Sequence, residues 1–187
     1  MKNALILHSA ANTSKGNWFP WLKKELELQG YEVWVPDLPH ADEPNLTEWK
    51  EAILSNKDFV FGKETVIIGH SAGATFILGL LESLPRGIQV QKAILVAAFM
   101  EEGEKKSLHP YKKGLLKGFD WKKIQKSCRR FYFIASDNDP YLCGDDQAQI
   151  LQDRLGGEVV LMAGEGHFNV EKGNTKYRQF PEILKYI

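Results

Sequence analysis

Hydrophobic positions along this chain fall into two kinds of run that take turns. Short stretches that are apolar at nearly every position recur at Ala4–Leu7, Tyr31–Val35, Thr65–Ile68, Lys92–Ala97, Arg130–Ala135 and Glu158–Met162. Runs of that length, rich in Val, Ile and aromatics, suit strands buried on both faces, as in a parallel sheet. Between them lie amphipathic stretches of helical length. In Trp21–Gln29 the apolar residues Trp21, Leu22, Leu26 and Leu28 are interleaved with Lys23, Lys24, Glu25 and Glu27. Leu46–Asn56 sets Leu46, Trp49, Ile53 and Leu54 on one face at helical spacing. Thr75–Leu84 is apolar nearly all round, so it is expected to be the most buried helix. Asp145–Leu155 stops at Gly156-Gly157, glycine being favoured just past a helix C-terminus. Tyr177–Ile187 is expected to close the chain as a helix. Strand and helix alternating six times predict an α/β fold with about six parallel strands, helices on both faces and right-handed crossovers.

Length and composition narrow the class. At 187 residues and 43% hydrophobic content the chain is expected to form a single domain over 1–187 with a filled core. No apolar run reaches the ~18–20 residues that span a bilayer, and the longest N-terminal stretch, Ala4–Leu7, is shorter than the ~7–15 residues of a signal-peptide core. A cytoplasmic location is the expectation. Cys128 and Cys143 are too few for a disulfide framework, and neither stands in a linear spacing that holds zinc. No metal or organic cofactor is expected.

The chemistry concentrates in Val66-Ile67-Ile68-Gly69-His70-Ser71-Ala72-Gly73-Ala74. A bare G-x-S-x-G is a weak signal, but here an apolar strand runs directly into it and an apolar helix directly out. A serine at such a strand-to-helix turn sits in strained backbone, and Gly69 and Gly73 leave space for the sharp reversal. The Ala72 amide then lies at a helix N-terminus, where unpaired N–H groups favour a developing oxyanion. A serine hydroxyl needs a base, and the base an orienting acid. His109 and His167 are the histidines beyond Ser71; His109 is far from a strand end, whereas His167 follows the last strand in the glycine-rich loop Gly164-Glu165-Gly166-His167. His167 is therefore the expected base. The preceding strand leads into Ser136-Asp137-Asn138-Asp139-Pro140, where Asp139 is the favoured acid, since Pro140 restricts the following backbone, and Asp137 is its competitor. The second oxyanion donor is expected from the loop after the first strand, at Ala10 or Ser9. His8 orients that loop or is structural; His40 and His70 are structural or line the site.

These features together resemble the α/β-hydrolase fold, and more narrowly the small serine hydrolases related to retinoblastoma-binding protein 9. The similarity is carried by the elbow, the Asp139-Pro140 loop, Gly166-His167-Phe168, the segment Gly16-Asn17-Trp18-Phe19-Pro20-Trp21 and the stretch from Val35-Pro36-Asp37 through Pro44 to Trp49. It implies Ser71 as nucleophile, Asp139 as acid and His167 as base. Leu7-His8-Ser9-Ala10 departs from the His-Gly of larger hydrolases. The namesake binds the retinoblastoma protein through L-x-C-x-E; here Tyr141-Leu142-Cys143-Gly144-Asp145 matches only loosely, and Leu142 and Cys143 are expected to pack behind the acid loop.

Equal numbers of basic and acidic residues, 24 of each, argue against general nucleic-acid binding. The neutrality is uneven: residues 105–130 hold ten Lys or Arg against Asp120 alone. They overlap a connection, 99–128, too short for a cap domain. Read as a basic rim beside the site mouth, this segment makes anionic small-molecule substrates the first expectation; read plainly, it is a solvated lysine-rich face. Trp121, Ile124 and Cys128 form a narrow helical stripe within it, and Tyr111 and Phe119 are candidate pocket residues. The reading is a serine hydrolase of esters, thioesters or small amides. The alternative is a protein-interaction module on an idle hydrolase scaffold.

Overall fold

The computed structural model describes residues 2–100, 112–170 and 175–187. His109, Tyr111, Lys105, Lys106 and the side chain of Lys112 lie outside the described residues. Six strands form one parallel sheet: β1 (Asn3–Leu7), β2 (Glu32–Trp34), β3 (Thr65–His70), β4 (Val90–Val96), β5 (Cys128–Ser136) and β6 (Glu158–Met162), in the order β2-β1-β3-β4-β5-β6. The reversal of order between β1 and β3 opens a crevice at the carboxyl edge of the sheet, where α/β folds place ligands. Fully buried runs occur in β1 and β3. The strands β2 and β6 were expected to be equally covered, but they are the sheet's two edges and remain half-exposed, Leu161 reaching 52%.

The helices are α1 (Phe19–Leu28), α2 (Leu46–Leu54), α3 (Ala72–Ser83), α4 (Lys112–Leu115), α5 (Trp121–Ser127) and α6 (Asp145–Leu155). Helix α3 packs on β3 and β4 and meets α2, α4 and α5, while α6 covers β5 and β6 and meets α5. These make one layer. Helix α1 lies along β1 and β2, and Trp18 just before it meets Phe180 near the C-terminus, 5.6 Å between rings. This second layer covers the opposite face. As expected, α3 is the most buried helix, with every residue from Ala72 to Leu81 inside.

Three boundaries moved for identifiable reasons. Helix α1 starts two residues before Trp21 because Pro20 sits in its first turn, where a missing N–H costs nothing. Cys128 does not continue the stripe of Trp121 and Ile124; its extended backbone, φ −139° and ψ 140°, begins β5 instead. The terminal helix is replaced by two short 3-10 turns, Lys176–Arg178 and Pro181–Tyr186. Pro181 explains the break, since it disfavours helical backbone at the residue before it, and Phe180 is extended at φ −143°.

Candidate active site

Ser71 stands between the end of β3 and the first residue of α3, with φ 55° and ψ −117°. Its N–H donates to Val96 O at 2.8 Å, fixing the turn to the neighbouring strand. The two flanking glycines have measurable cause. A Cβ on Gly69 would lie 2.6 Å from Gly73 O, and one on Gly73 would lie 2.4 Å from His8 O. The second contact brings the loop after β1 against the start of α3. Strained backbone recurs in these connections: among described non-glycine residues, positive φ also occurs at Ala11, Asn17, His40, Ala97, Leu142 and Phe168, each in a segment that follows the carboxyl end of a strand. Such outliers cost roughly 1–3 kcal/mol each and cluster where function over-determines the geometry.

The loop after β6 carries His167 to Ser71. His167 Nε2 lies 2.9 Å from Ser71 Oγ, and Nδ1 lies 2.7 Å from Asp139 Oδ2. Nδ1 therefore donates to the carboxylate and leaves Nε2 to accept. The Tyr141 N–H donates to the other carboxylate oxygen at 2.8 Å, and the Tyr141 ring stands edge-on to the imidazole, 4.7 Å between centroids. Ser71, Asp139 and His167 are each at most 6% exposed, so the charges and hydrogen bonds between them act with little screening by water.

Asp137 has a different place from Asp139. Its Oδ1 accepts from Gly164 N–H at 2.7 Å. Ser136 Oγ accepts from Glu165 N–H at 2.9 Å, and Asn138 Oδ1 from Gly166 N–H at 2.7 Å. The last residue of β5 and the three that follow it thus grip four consecutive residues after β6, ending in the Asp139–His167 pair. Further ties hold the base loop: His70 Nε2 donates to His167 O at 2.7 Å, and Trp18 Nε1 to Phe168 O at 3.0 Å. Glu165 accepts from Lys176 Nζ and from Tyr177 Oη, and these bonds hold its carboxyl below the usual range while burial and the same bond push Tyr177 up. The sequence reading missed this clamp. Its signal was the run Ser-Asp-Asn-Asp facing Gly-Glu-Gly-His.

The Ala72 amide is the first of α3 and, like those of Ser9 and Ala10, makes no hydrogen bond to another described residue, whereas Ala11 N–H is engaged by Ala41 O at 2.7 Å. His8 is fully buried, donates from Nδ1 to Ser9 O and accepts at Nε2 from Leu38 N–H, both at 2.8 Å. Burial lowers its pKa, so it is a neutral brace for this loop. His40 is an exposed partner of Glu48, and that carboxylate raises its pKa. Cys143 is fully buried, which puts the loose L-x-C-x-E match out of reach of a partner protein.

The second half of the expected basic rim, residues 122–130, lies away from the site. Gln89 Nε2, just before β4, donates to Lys126 O, and Arg129 and Arg130 are in the first turn of residues of β5. Asp120 N–H donates to Glu82, which lies eleven residues beyond Ser71 along α3, about 16 Å at 1.5 Å per residue. Lys122, Lys123, Lys126, Arg129 and Arg130 therefore surround the amino edge of the sheet, opposite Ser71. Phe119, packed on Trp121 at that same end, does not line the site either.

Three comparisons show what the chain is similar to. The model of the serine hydrolase family matches residues 4–186. The putative hydrolase YdeN of Bacillus subtilis is 30% identical over 187 residues, covering 98% of this chain and 94% of its own. Its crystal structure superposes with a TM-score of 0.87, over 100% of this chain and 96% of that one. The rat serine hydrolase RBBP9 is 25% identical over 173 residues, covering 90% of this chain and 84% of its own. Est1E of Butyrivibrio proteoclasticus, 15% identical, shares the fold with a TM-score of 0.68 over 99% of this chain and 84% of its own.

Proposed function

The chain belongs to the serine hydrolase family, and on that premise we propose that it cleaves a carboxylic ester, thioester or small amide through an acyl-serine at Ser71. The observation that carries the proposal is the continuous hydrogen-bond line from Ser71 Oγ through His167 to Asp139, 2.9 and 2.7 Å long. In the first half-reaction Ser71 Oγ attacks the carbonyl carbon as its proton passes to His167 Nε2. Asp139 accepts from Nδ1 throughout, which fixes the tautomer and favours the imidazolium that forms. The oxyanion is received by the Ala72 amide and by Ala10, with Ser9 the alternative in the same loop. One such donor is typically worth about 2.7–4 kcal/mol in the transition state. His167 then protonates the leaving group, and a water activated by the same nitrogen releases the acid and restores Ser71.

The chemistry draws every proton transfer from these side chains. The single sheet supports reading 1–187 as one domain, and the expected short cap-like connection, 99–128, lies partly outside the described residues. An anionic substrate gains no support from the described lysines of 122–130, so neutral short-chain esters are the first to test. Neither Cys128 nor Cys143 is in a disulfide, in keeping with a reducing cytoplasm, and no helix among the described residues is long and apolar enough to cross a membrane. The interaction-module alternative required the three side chains to stay apart, and it has no support from distances this short.

A panel of esters graded in acyl length and charge, assayed with wild type and Ser71→Ala, tests the proposal. Turnover of at least one ester that vanishes in Ser71→Ala is expected. Hydrolysis unchanged by the substitution would assign the activity to another group.

A further inference from the structure

Two thiols take no part in this chemistry, and they sit in opposite surroundings. Cys128 opens β5 at the amino edge of the sheet, where burial pushes its thiol up to about 12. Cys143 lies four residues beyond Asp139 in the loop after β5, fully buried. Its Sγ approaches Tyr141 O at 3.7 Å. More telling is the third neighbour: ligand atoms of Asp139, Cys143 and His167 all lie within 4.8 Å of one another. No linear spacing announces this cluster, because β5 and β6 bring together residues 24 positions apart.

We infer that Asp139, Cys143 and His167 form a binding site for one thiophilic divalent cation, zinc or cadmium, and that its occupation switches hydrolysis off. Three points mutually within 4.8 Å share a position no more than about 2.8 Å from each, so shifts of roughly 0.5–0.8 Å, with the 2.7 Å Nδ1–Oδ2 pair opening to admit the ion, reach the ~2.0–2.3 Å bonds that zinc makes to nitrogen, oxygen and sulfur. A carboxylate, a thiolate and a neutral imidazole together carry two negative charges, matching the cation. They are three protein ligands of the types zinc takes. All three side chains are nearly or fully buried, so the ion displaces little bound water from them.

The inhibitory step follows from the hydrogen bonds. His167 Nδ1 is the ring nitrogen that faces Asp139. When the cation bonds to Nδ1, the proton there moves to Nε2 by way of solvent, and the Cys143 thiol gives its proton to solvent as the metal–sulfur bond forms. One proton is released per cation. Nε2 then carries a hydrogen towards Ser71 and has no lone pair to accept the serine's proton. This inhibitory half rests on the proposed roles of Ser71 and His167; the binding half does not.

The full chain, titrated with zinc chloride in a non-chelating buffer, tests both halves by calorimetry and by its rate of labelling with a fluorophosphonate. One equivalent of zinc binds with release of about one proton, labelling slows at least tenfold at saturation, and EDTA restores it. Cys143→Ala labels like wild type without metal and binds zinc at least tenfold more weakly, as expected when a ligand is lost outright given that even outer partners are worth 10–100-fold. Its labelling persists in zinc. Should Cys143→Ala not fold, cadmium added to wild type and to Cys128→Ala reports the same bond by thiolate-to-cadmium charge-transfer absorption, present in both. Absence of stoichiometric binding, absence of that absorption, or equal inhibition of Cys143→Ala overturns the site. A chain that never labels yet binds cadmium through Cys143 overturns the chemistry assigned to Ser71 and leaves the cation site standing.

Discussion

Ser71 and His8 show how single residues hold the carboxyl edge together. The positive φ at Ser71 is kept by Val96 O in front and by α3 behind, and the loop after β1 closes on Gly73 with no room for a methyl group. His8 is the brace of that loop, and its chemistry sets a pH dependence. Its Nε2 accepts from Leu38 N–H, which the protonated ring could not do, and burial lowers its pKa below the ordinary histidine value. The unfolded chain therefore binds a proton that the folded chain resists. Stability from this residue is complete above about pH 6.5 and falls as pH drops from there towards the lowered folded value. The melting temperature of wild type is expected to decline below pH 6.5, and His8→Gln, which cannot titrate, to flatten that decline while lowering the plateau. An identical slope in both proteins would remove His8 from the account.

At the scale of elements, the loops after β5 and β6 act as one unit. Which aspartate is the acid was open in the sequence, because Asp137 and Asp139 occupy the same short loop and differ only in what each side chain meets. The structure separates them: Asp139 holds the imidazole and Asp137 holds Gly164. Asp139→Asn is expected to reduce kcat by about 10⁴-fold, the scale seen when a triad acid is neutralised. Asp137→Ala and Asn138→Ala each remove one backbone anchor of the His167 loop; at about 1 kcal/mol per hydrogen bond they should lower kcat roughly five- to tenfold with KM little changed. Steady-state kinetics on the three variants check this, and equal losses at Asp137 and Asp139 would contradict it. The elbow, the parallel sheet and helix α6 were legible because each rests on a local pattern with its own turn residues. The clamp was not, since a bond between Asn138 and Gly166 leaves no periodic trace. The terminal helix misled because Tyr177, Ile183 and Leu184 keep an apolar rhythm that Pro181 interrupts.

Across the whole molecule, zero net charge conceals a separation of charge along the sheet. The sequence shows that residues 105–130 are basic but not which edge they occupy; that depends on α5 running back along α3 to feed β5. Lys122, Lys126 and Arg129 surround the edge away from Ser71. Replacing Lys122 and Lys126 by Glu should leave kcat/KM within about twofold for neutral and anionic esters alike, because charges well beyond a Debye length of about 8–10 Å are screened at physiological salt. A selective loss for anionic esters would show that these lysines steer substrate after all.

The central claim is that one hydroxyl, Ser71 Oγ, becomes covalently acylated with His167 as its base. Incubation of the intact chain with a fluorophosphonate, followed by digestion and mass analysis of the modified peptide, tests it most directly. One adduct is expected, located on Ser71, absent from Ser71→Ala and formed at least a hundredfold more slowly in His167→Ala. An unmodified wild type, or an adduct that persists in Ser71→Ala, would contradict the account.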